Sequence, residues 1–265
     1  MTCTARTAIT TVTVHESCNS DMREPTTMPE ISVVLPTYNE RDNIGPLIEA
    51  ILANLDCPIQ IIVVDDDSPD GTWQVVQEMA TNDERIQLLR RTNERGLTSA
   101  LNTGITHAKG DIIAWMDCDL SMPPQKLPEL VVALAECDLA VGSRYVKGAK
   151  DVGHSFAGQA FSWTINFCTA LLLGFAIRDY TSGFIAAKRE VFDQITLRGD
   201  YGEYCIDLLH RARKKGFKIK EIPYHFVPRK SGESKTATGM WGYFRRGIKY
   251  VILVLRLWFT PSKAL

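Results

Sequence analysis

From Ile31 onward the chain alternates short β-type apolar runs with segments whose apolar positions recur at helical spacing. Ile31 to Leu35, Ile59 to Val64, Ile86 to Leu89, Ile112 to Met116 and Leu139 to Val141 predict strands, and 43–54, 71–81, 97–108 and 125–136 predict helices between them. Such alternation implies an α/β fold, an open sheet with helices on both faces. Parallel strands need crossover connections of one hand, which bring the strand carboxyl ends and the loops after them to one edge. Ligands bind at that edge in open α/β sheets.

Four of the five runs end in unusual polar segments. The first leads into Pro36-Thr37-Tyr38-Asn39-Glu40, and the second into Asp65-Asp66-Asp67-Ser68-Pro69-Asp70-Gly71-Thr72. The fourth leads into Asp117-Cys118-Asp119, and the fifth into Gly142-Ser143-Arg144-Tyr145. Each has an ordinary explanation by itself: Pro36 and Asn39 as turn formers, Asp70-Gly71 as a helix start, Arg144 as a surface charge, strand-exit acids as caps. Three acidic clusters and an arginine on one rim together favour a site. Two acids one residue apart present hard oxygen ligands, and Mg²⁺ or Mn²⁺ held there can bridge to a diphosphate. Nucleotide-sugar chemistry is therefore the first expectation. No Gly-x-Gly-x-x-Gly follows the first strand, which argues against an oxidoreductase.

Composition narrows the class further. With 265 residues, 45% hydrophobic and 23% charged, the chain fits one globular domain, or one domain with a terminal addition. A net charge of −1 gives a nucleic-acid partner no support. The seven cysteines are scattered without Cys-x-x-Cys spacing, as expected of reduced thiols in a cytosolic setting. Residues 1–29 are rich in Thr and Ser and lack the apolar stretch of a secretory signal, so they read as a disordered leader, with Met22 or Met28 as alternative starts.

Taken in order, Val34-Leu35-Pro36-Thr37-Tyr38-Asn39-Glu40, Val63 to Thr72, Asp117-Cys118-Asp119-Leu120-Ser121 and Gly142-Ser143-Arg144-Tyr145 resemble the signatures of family 2 glycosyltransferases. Asp179-Tyr180-Thr181-Ser182-Gly183-Phe184 and Phe226-Val227-Pro228-Arg229, leading to Gly232-Glu233-Ser234-Lys235, narrow the resemblance to dolichol-phosphate (polyprenol-phosphate) mannosyltransferases. It covers about residues 31–236. It implies a GT-A type fold, the open, mostly parallel sheet of nucleotide-diphospho-sugar transferases, with a catalytic domain over 30–236 and an amphipathic, membrane-associating tail over 237–265.

The resemblance also assigns roles. Tyr38 and Glu40 would lie against the nucleotide, Asp66 would hold base or ribose from the opposite wall, and Pro36 and Val64 would add backbone and apolar contacts. Asp117, Asp119 and Ser121 would hold the Mg²⁺ or Mn²⁺, with Cys118 contributing its backbone because a thiol suits Mg²⁺ poorly. Arg144, Arg229 and Lys235 would bind phosphates, and Asp119, Arg144 and Arg229 are the catalytic candidates. Asp67 stands where the family has glycine or a small residue, adding a third acid to the nucleotide wall or turning away from it. Asp207 is a position where relatives carry an acid; orienting sugar hydroxyls and ordinary helix exposure are its two readings.

The reaction implied is inverting transfer of mannose from GDP-mannose to a polyprenyl or dolichyl monophosphate. UDP-glucose or another donor, a saccharide acceptor, and a noncatalytic nucleotide-binding relative are the alternatives. A lipid acceptor requires contact with a membrane surface. The apolar stretches Phe161 to Ile177 and Tyr243 to Phe259, the latter carrying Arg245, Arg246, Lys249 and Arg256, read as interfacial helices. The expected location is the cytoplasmic face of a membrane, peripherally, with a membrane-anchoring subunit as a candidate partner.

Overall fold

The computed structural model describes residues 30–230 and 239–260, with side chains of the last segment from Gly247 onward. The proposed leader and Lys235 lie outside these residues. In chain order the elements are β1 (Ile31–Thr37), α1 (Arg41–Asn54), β2 (Ile59–Asp65), α2 (Thr72–Asn82), β3 (Ile86–Arg90), α3 (Leu97–His107) and β4 (Ile112–Trp115). A 3-10 turn (Pro124–Lys126) leads to α4 (Leu127–Ala133), β5 (Leu139–Ser143), β6 (Lys150–Asp151), α5 (Phe156–Leu173), β7 (Ile185–Lys188) and α6 (Arg189–Gln194). The chain continues through α7 (Tyr204–Lys214), β8 (Ile219–Pro223), β9 (His225–Phe226) and α8 (Gly239–Phe259).

Seven strands form one sheet in the order β3-β2-β1-β4-β7-β5-β8, and β6 pairs with β9 apart from it. All neighbours in the large sheet run parallel except at β7, which is antiparallel to both β4 and β5. The mixed, mostly parallel sheet between helical layers is the expected fold class. The predicted 125–136 helix is shorter than its pattern suggests, because Pro124 and Pro128 tighten its first turn and α4 begins only at Leu127.

Both sheet faces are covered, so the central strands read as near-continuous apolar runs. Alternate residues serve opposite layers. Val33 and Leu35 meet Ile44, Leu47, Ile48 and Ile51, the inward stripe of α1, whereas Val34, Ile62 and Val64 face Ala100 and Leu101 of α3. The register places Thr37 opposite Asp65 and Val34 opposite Trp115. Thus the loops after β1, β2 and β4 leave the sheet side by side.

Candidate active site

The loops after β1 and β2 are laced together. The Asn39 N–H donates to Ser68 Oγ (3.0 Å), the Glu40 N–H to Thr72 Oγ1 (2.9 Å) and the Arg41 N–H to Asp70 Oδ2 (3.1 Å). Buried Asp65 accepts from Thr37 Oγ1 (2.9 Å) and from the Ser68 N–H (2.8 Å) and hydroxyl (2.6 Å). It is therefore an organiser of the loops. Asn39 and Asp67 both have φ of 56°, a left-handed conformation that short polar side chains tolerate and glycine favours. Asp67 turns outward to Arg90, whose guanidinium lies 3.8 Å from the Trp73 ring centroid, so it adds no acid to the nucleotide wall.

A cleft of about 340 Å³ opens between these loops and is lined by Pro36, Tyr38, Glu40, Asp66, Arg95, Gly96, Asp117, Cys118, Asp119 and Arg229, among others. Asp66 is fixed in its wall. Arg91 Nε donates to Asp66 Oδ1 (2.8 Å), as does Nη2, and the Gly96 N–H donates to Oδ2 (2.8 Å). Arg95 lies 5.1 Å from the Tyr38 ring centroid. Asn43 Nδ2 donates to Glu40 Oε2 (2.8 Å), which orients that carboxylate. The loop of Arg91, Arg95 and Gly96 is missing from the sequence reading, although it follows β3 on the same rim. Its signal was the Arg90-Arg91 pair and the Arg95-Gly96 step at that strand end. Val64 is not among the residues lining this cleft: its side chain packs in the core against α3, and its carbonyl accepts from Thr37 Oγ1 (3.4 Å).

Asp117 and Asp119 stand where the first cleft meets a second, of about 360 Å³, which both line together with Ser121, Arg144, His154, Thr181, Tyr224 and Arg229. The loop that carries them is strained and pinned. Leu120 has φ of 62°, unusual for a branched side chain. The Ser121 N–H donates to Asp119 Oδ1 (3.0 Å), and Cys118 Sγ lies 3.3 Å from the Pro36 carbonyl. The Val227 N–H donates to the Ser121 carbonyl (3.0 Å) and the Lys230 N–H to that of Asp119 (3.2 Å), which anchors the basic segment to the acidic loop. Arg229 thereby reaches Asp119 Oδ2 at 2.9 Å. Acids and basic loop share one site, with no wall of packed residues between them.

Burial, with Asp119 beside it, pushes the Asp117 carboxyl up to about 7, against the pull of Arg144 and Arg229. Two crowded carboxylates invite a cation. Among the described residues the buried Ser121 hydroxyl has no hydrogen-bond partner, and it lines the second cleft beside both acids, so this oxygen set fits a hard divalent ion. Among the described residues no three His, Cys, Asp or Glu side chains cluster as a closed metal cage. The remaining positions would fall to diphosphate and water oxygens, as Mg²⁺ prefers.

Arg144, expected in the cationic half of the site, lines the second cleft and is held there by its neighbours. Its Nε and Nη2 donate to Asp179 (both 2.8 Å) and Nη2 also to Thr181 Oγ1 (2.8 Å), and Asp179 is fully buried. Burial works against its charge, but Asp179 overrides that and holds the guanidinium above its ordinary pKa. The Asp179 to Gly183 motif thus serves first to hold Arg144. Gly183 leaves room for the acids, since a Cβ there would lie 3.6 Å from Asp117 Oδ1 and 3.4 Å from the Tyr204 hydroxyl. Asp207 is neither exposed nor in a cleft: it is buried on α7 in an ion pair with Arg211 (3.0 Å).

The second cleft continues into an apolar groove of about 530 Å³ between α5 and α8, and Phe161, Ile165 and Tyr250 line both. α5 begins five residues before the predicted Phe161, because Ser155 Oγ accepts from the Gly158 N–H (3.2 Å) and caps it. Its outer face exposes Phe156, Trp163, Phe167 and Leu171, and α8 exposes Val251, Ile252, Leu255, Trp258 and Phe259. Among the described residues α5 alone is long and apolar enough to cross a membrane, by length and composition.

The Glycosyl transferase family 2 model matches residues 32–196. The chain is 40% identical over 212 residues to the polyprenol monophosphomannose synthase of Mycolicibacterium smegmatis, covering 77% of this chain and 79% of that protein. It is 36% identical over 214 residues to the dolichol-phosphate mannosyltransferase of Pyrococcus furiosus, covering 78% of this chain and 59% of that one. It therefore spans less than two thirds of the latter protein. The undecaprenyl-phosphate mannosyltransferase of Micrococcus luteus is 34% identical over 220 residues, 80% of this chain and 89% of that protein. Among solved structures, glucosyl-3-phosphoglycerate synthase from Mycobacterium tuberculosis with Mn²⁺, UDP-glucose and phosphoglyceric acid superposes with a TM-score of 0.66 at 21% identity, over 88% of this chain and 81% of that one. The same protein with Mg²⁺ and UDP also gives 0.66, at 20% identity and the same coverage. The fold is that of GT-A glycosyltransferases, and the chain belongs to glycosyl transferase family 2.

Proposed function

We propose that this protein transfers mannose from GDP-mannose to a polyprenyl or dolichyl monophosphate. The reading is carried by one arrangement: Asp117, Asp119 and Arg229 stand at the junction of two clefts, and the second cleft runs into an apolar groove beside exposed aromatic residues. A nucleotide fits the first cleft, between Tyr38, Glu40 and Asp66. A phosphate headgroup fits the second, and a prenyl chain the groove. The relatives named for polyprenol and dolichol phosphate support the acceptor, and the neighbours crystallised with Mn²⁺ or Mg²⁺ support a divalent ion.

Asp117, Asp119 and Ser121 would hold that ion, which when bound supplies Lewis-acid stabilisation of the departing diphosphate. Arg229, tethered by its own backbone segment to the acidic loop, adds a planar donor for phosphate oxygens, and Lys235 is proposed as a second phosphate ligand from the sequence alone. A phosphomonoester oxygen is ionised near neutral pH, so this nucleophile needs no strong general base. Entry of the acceptor from the cleft opposite the nucleotide suits one in-line displacement at the anomeric carbon, with inversion. The apolar faces of α5 and α8 suit peripheral docking on a membrane, for which we propose the cytoplasmic leaflet.

The test is a screen of GDP-mannose, UDP-glucose and related donors against a short polyprenyl phosphate, with and without Mn²⁺. Metal-dependent mannosyl transfer from GDP-mannose is expected, and transfer only to a saccharide would overturn the acceptor assignment. Asp119→Asn is expected to abolish turnover while leaving a near-native circular dichroism spectrum. Undiminished turnover would remove the metal role.

A further inference from the structure

We propose that His154 is an acceptor-binding residue, whose imidazole Nε2 contacts the phosphate of the acceptor in the second cleft. The inference rests on the reading above and deepens it. His154 sits between β6 and α5 and lines the cleft on the side of the α5 N-terminus. It is held from two directions. Its Nδ1 lies 2.8 Å from Asp151 Oδ2, and its backbone N–H donates to Asp151 Oδ1 (3.2 Å). The ring stacks on Phe226, with centroids 4.4 Å apart and planes 7° from parallel. Nε2 has no hydrogen-bond partner among the described residues.

Charge makes this placement meaningful. A phosphomonoester near neutral pH carries more than one negative charge, and Asp117 and Asp119 already make the mouth of the cleft acidic. Arg144, held by Asp179, and Arg229, paired with Asp119, line the same cleft as His154. His154, oriented by the carboxylate on its Nδ1, lines the cleft with its other ring nitrogen left for a ligand oxygen. Burial alone would raise the Asp151 carboxyl, yet its hydrogen bonds with His154 bring it below the ordinary value, so it faces the ring as an anion. The positive end of the α5 dipole lies on the same side of the cleft. The buried Tyr224 hydroxyl lines the same cleft, beside the Ser182 side chain.

The test compares wild type, His154→Ala and His154→Gln, the last because its amide can donate near the Nε2 position without charge. KM is measured for citronellyl phosphate and for GDP-mannose, and binding of citronellyl phosphate and of 3-phosphoglycerate to the Mn²⁺- and GDP-loaded protein is followed by calorimetry. For His154→Ala, acceptor KM and dissociation constant should rise about tenfold or more, with donor KM unchanged and His154→Gln intermediate. Unchanged acceptor binding in His154→Ala would overturn the proposal, as would a parallel loss of donor and acceptor affinity, the mark of a structural role. If wild type transfers no mannose but still loses phosphomonoester binding on substitution, the functional reading falls and the role of His154 stands. Tighter binding of 3-phosphoglycerate than of citronellyl phosphate would overturn the lipid acceptor alone.

Discussion

At the scale of single residues, Asp117 and Asp66 are acids placed in low-dielectric surroundings by opposite means. Asp66 is satisfied by Arg91 and the Gly96 N–H, whereas Asp117 is raised to about 7 by burial and by Asp119. Between its unfolded value near 4 and about 7, the native protein keeps a proton that the unfolded chain has lost, so metal-free stability falls as pH rises through that window and stays lower above it. Asp117→Asn should therefore raise the melting temperature of the metal-free protein at about pH 8 and change it little near pH 4, while turnover falls about a hundredfold or more. Differential scanning calorimetry at the two pH values checks the sign. Arg91→Met leaves Asp66 buried without its partner, which should cost about 3–5 kcal/mol in urea unfolding and weaken nucleotide binding. The acids were legible in the sequence because carboxylates after apolar runs stand out. Arg91 was not, since its partner lies twenty-five positions away and only the sheet register brings them together.

At the scale of elements, the strands of the first half announced themselves because parallel strands covered on both faces must be apolar throughout. β7 and β8 did not. β7 is four residues, Ile185 to Lys188, and the β8 run Ile219 to Pro223 mixes Lys and Glu with Ile, as an edge strand can. The pinning of Arg144 by Asp179, thirty-five positions on, was hidden for a like reason, whereas the ion pair of Asp207 with Arg211 lies within one helix at i,i+4 spacing. The two apolar helices were visible, but their division of labour was not. Asn166 and Thr169 of α5 are buried toward the domain, and Trp163 stacks on Phe167 (centroids 5.3 Å apart) on the outer face. Replacing Trp163 and Phe167 together by Glu should reduce partition onto phospholipid vesicles about tenfold or more without lowering the melting temperature. Sedimentation with vesicles reads the first effect and thermal unfolding the second.

For the whole molecule, the sheet joins two unlike parts. β3-β2-β1-β4 carries the first cleft and the acids, β5 and β8 carry Arg144 and the far side of the second cleft, and β7 is the seam between them. The order of synthesis then matters. β1 to β4 emerge from the ribosome as an uninterrupted sheet, but β5 emerges before the strand that must separate it from β4. Until Ile185 to Lys188 appears, the edge of β4 has no neighbour and β5 has nowhere to join. A nascent chain arrested with Gly183 outside the exit tunnel should resist protease up to Met116 and be cut around 139–143, and protection should spread to that segment once Lys188 has emerged. A maturing polypeptide thus builds its first cleft early, and late arrival of one short strand sets the moment at which the second can close beside it.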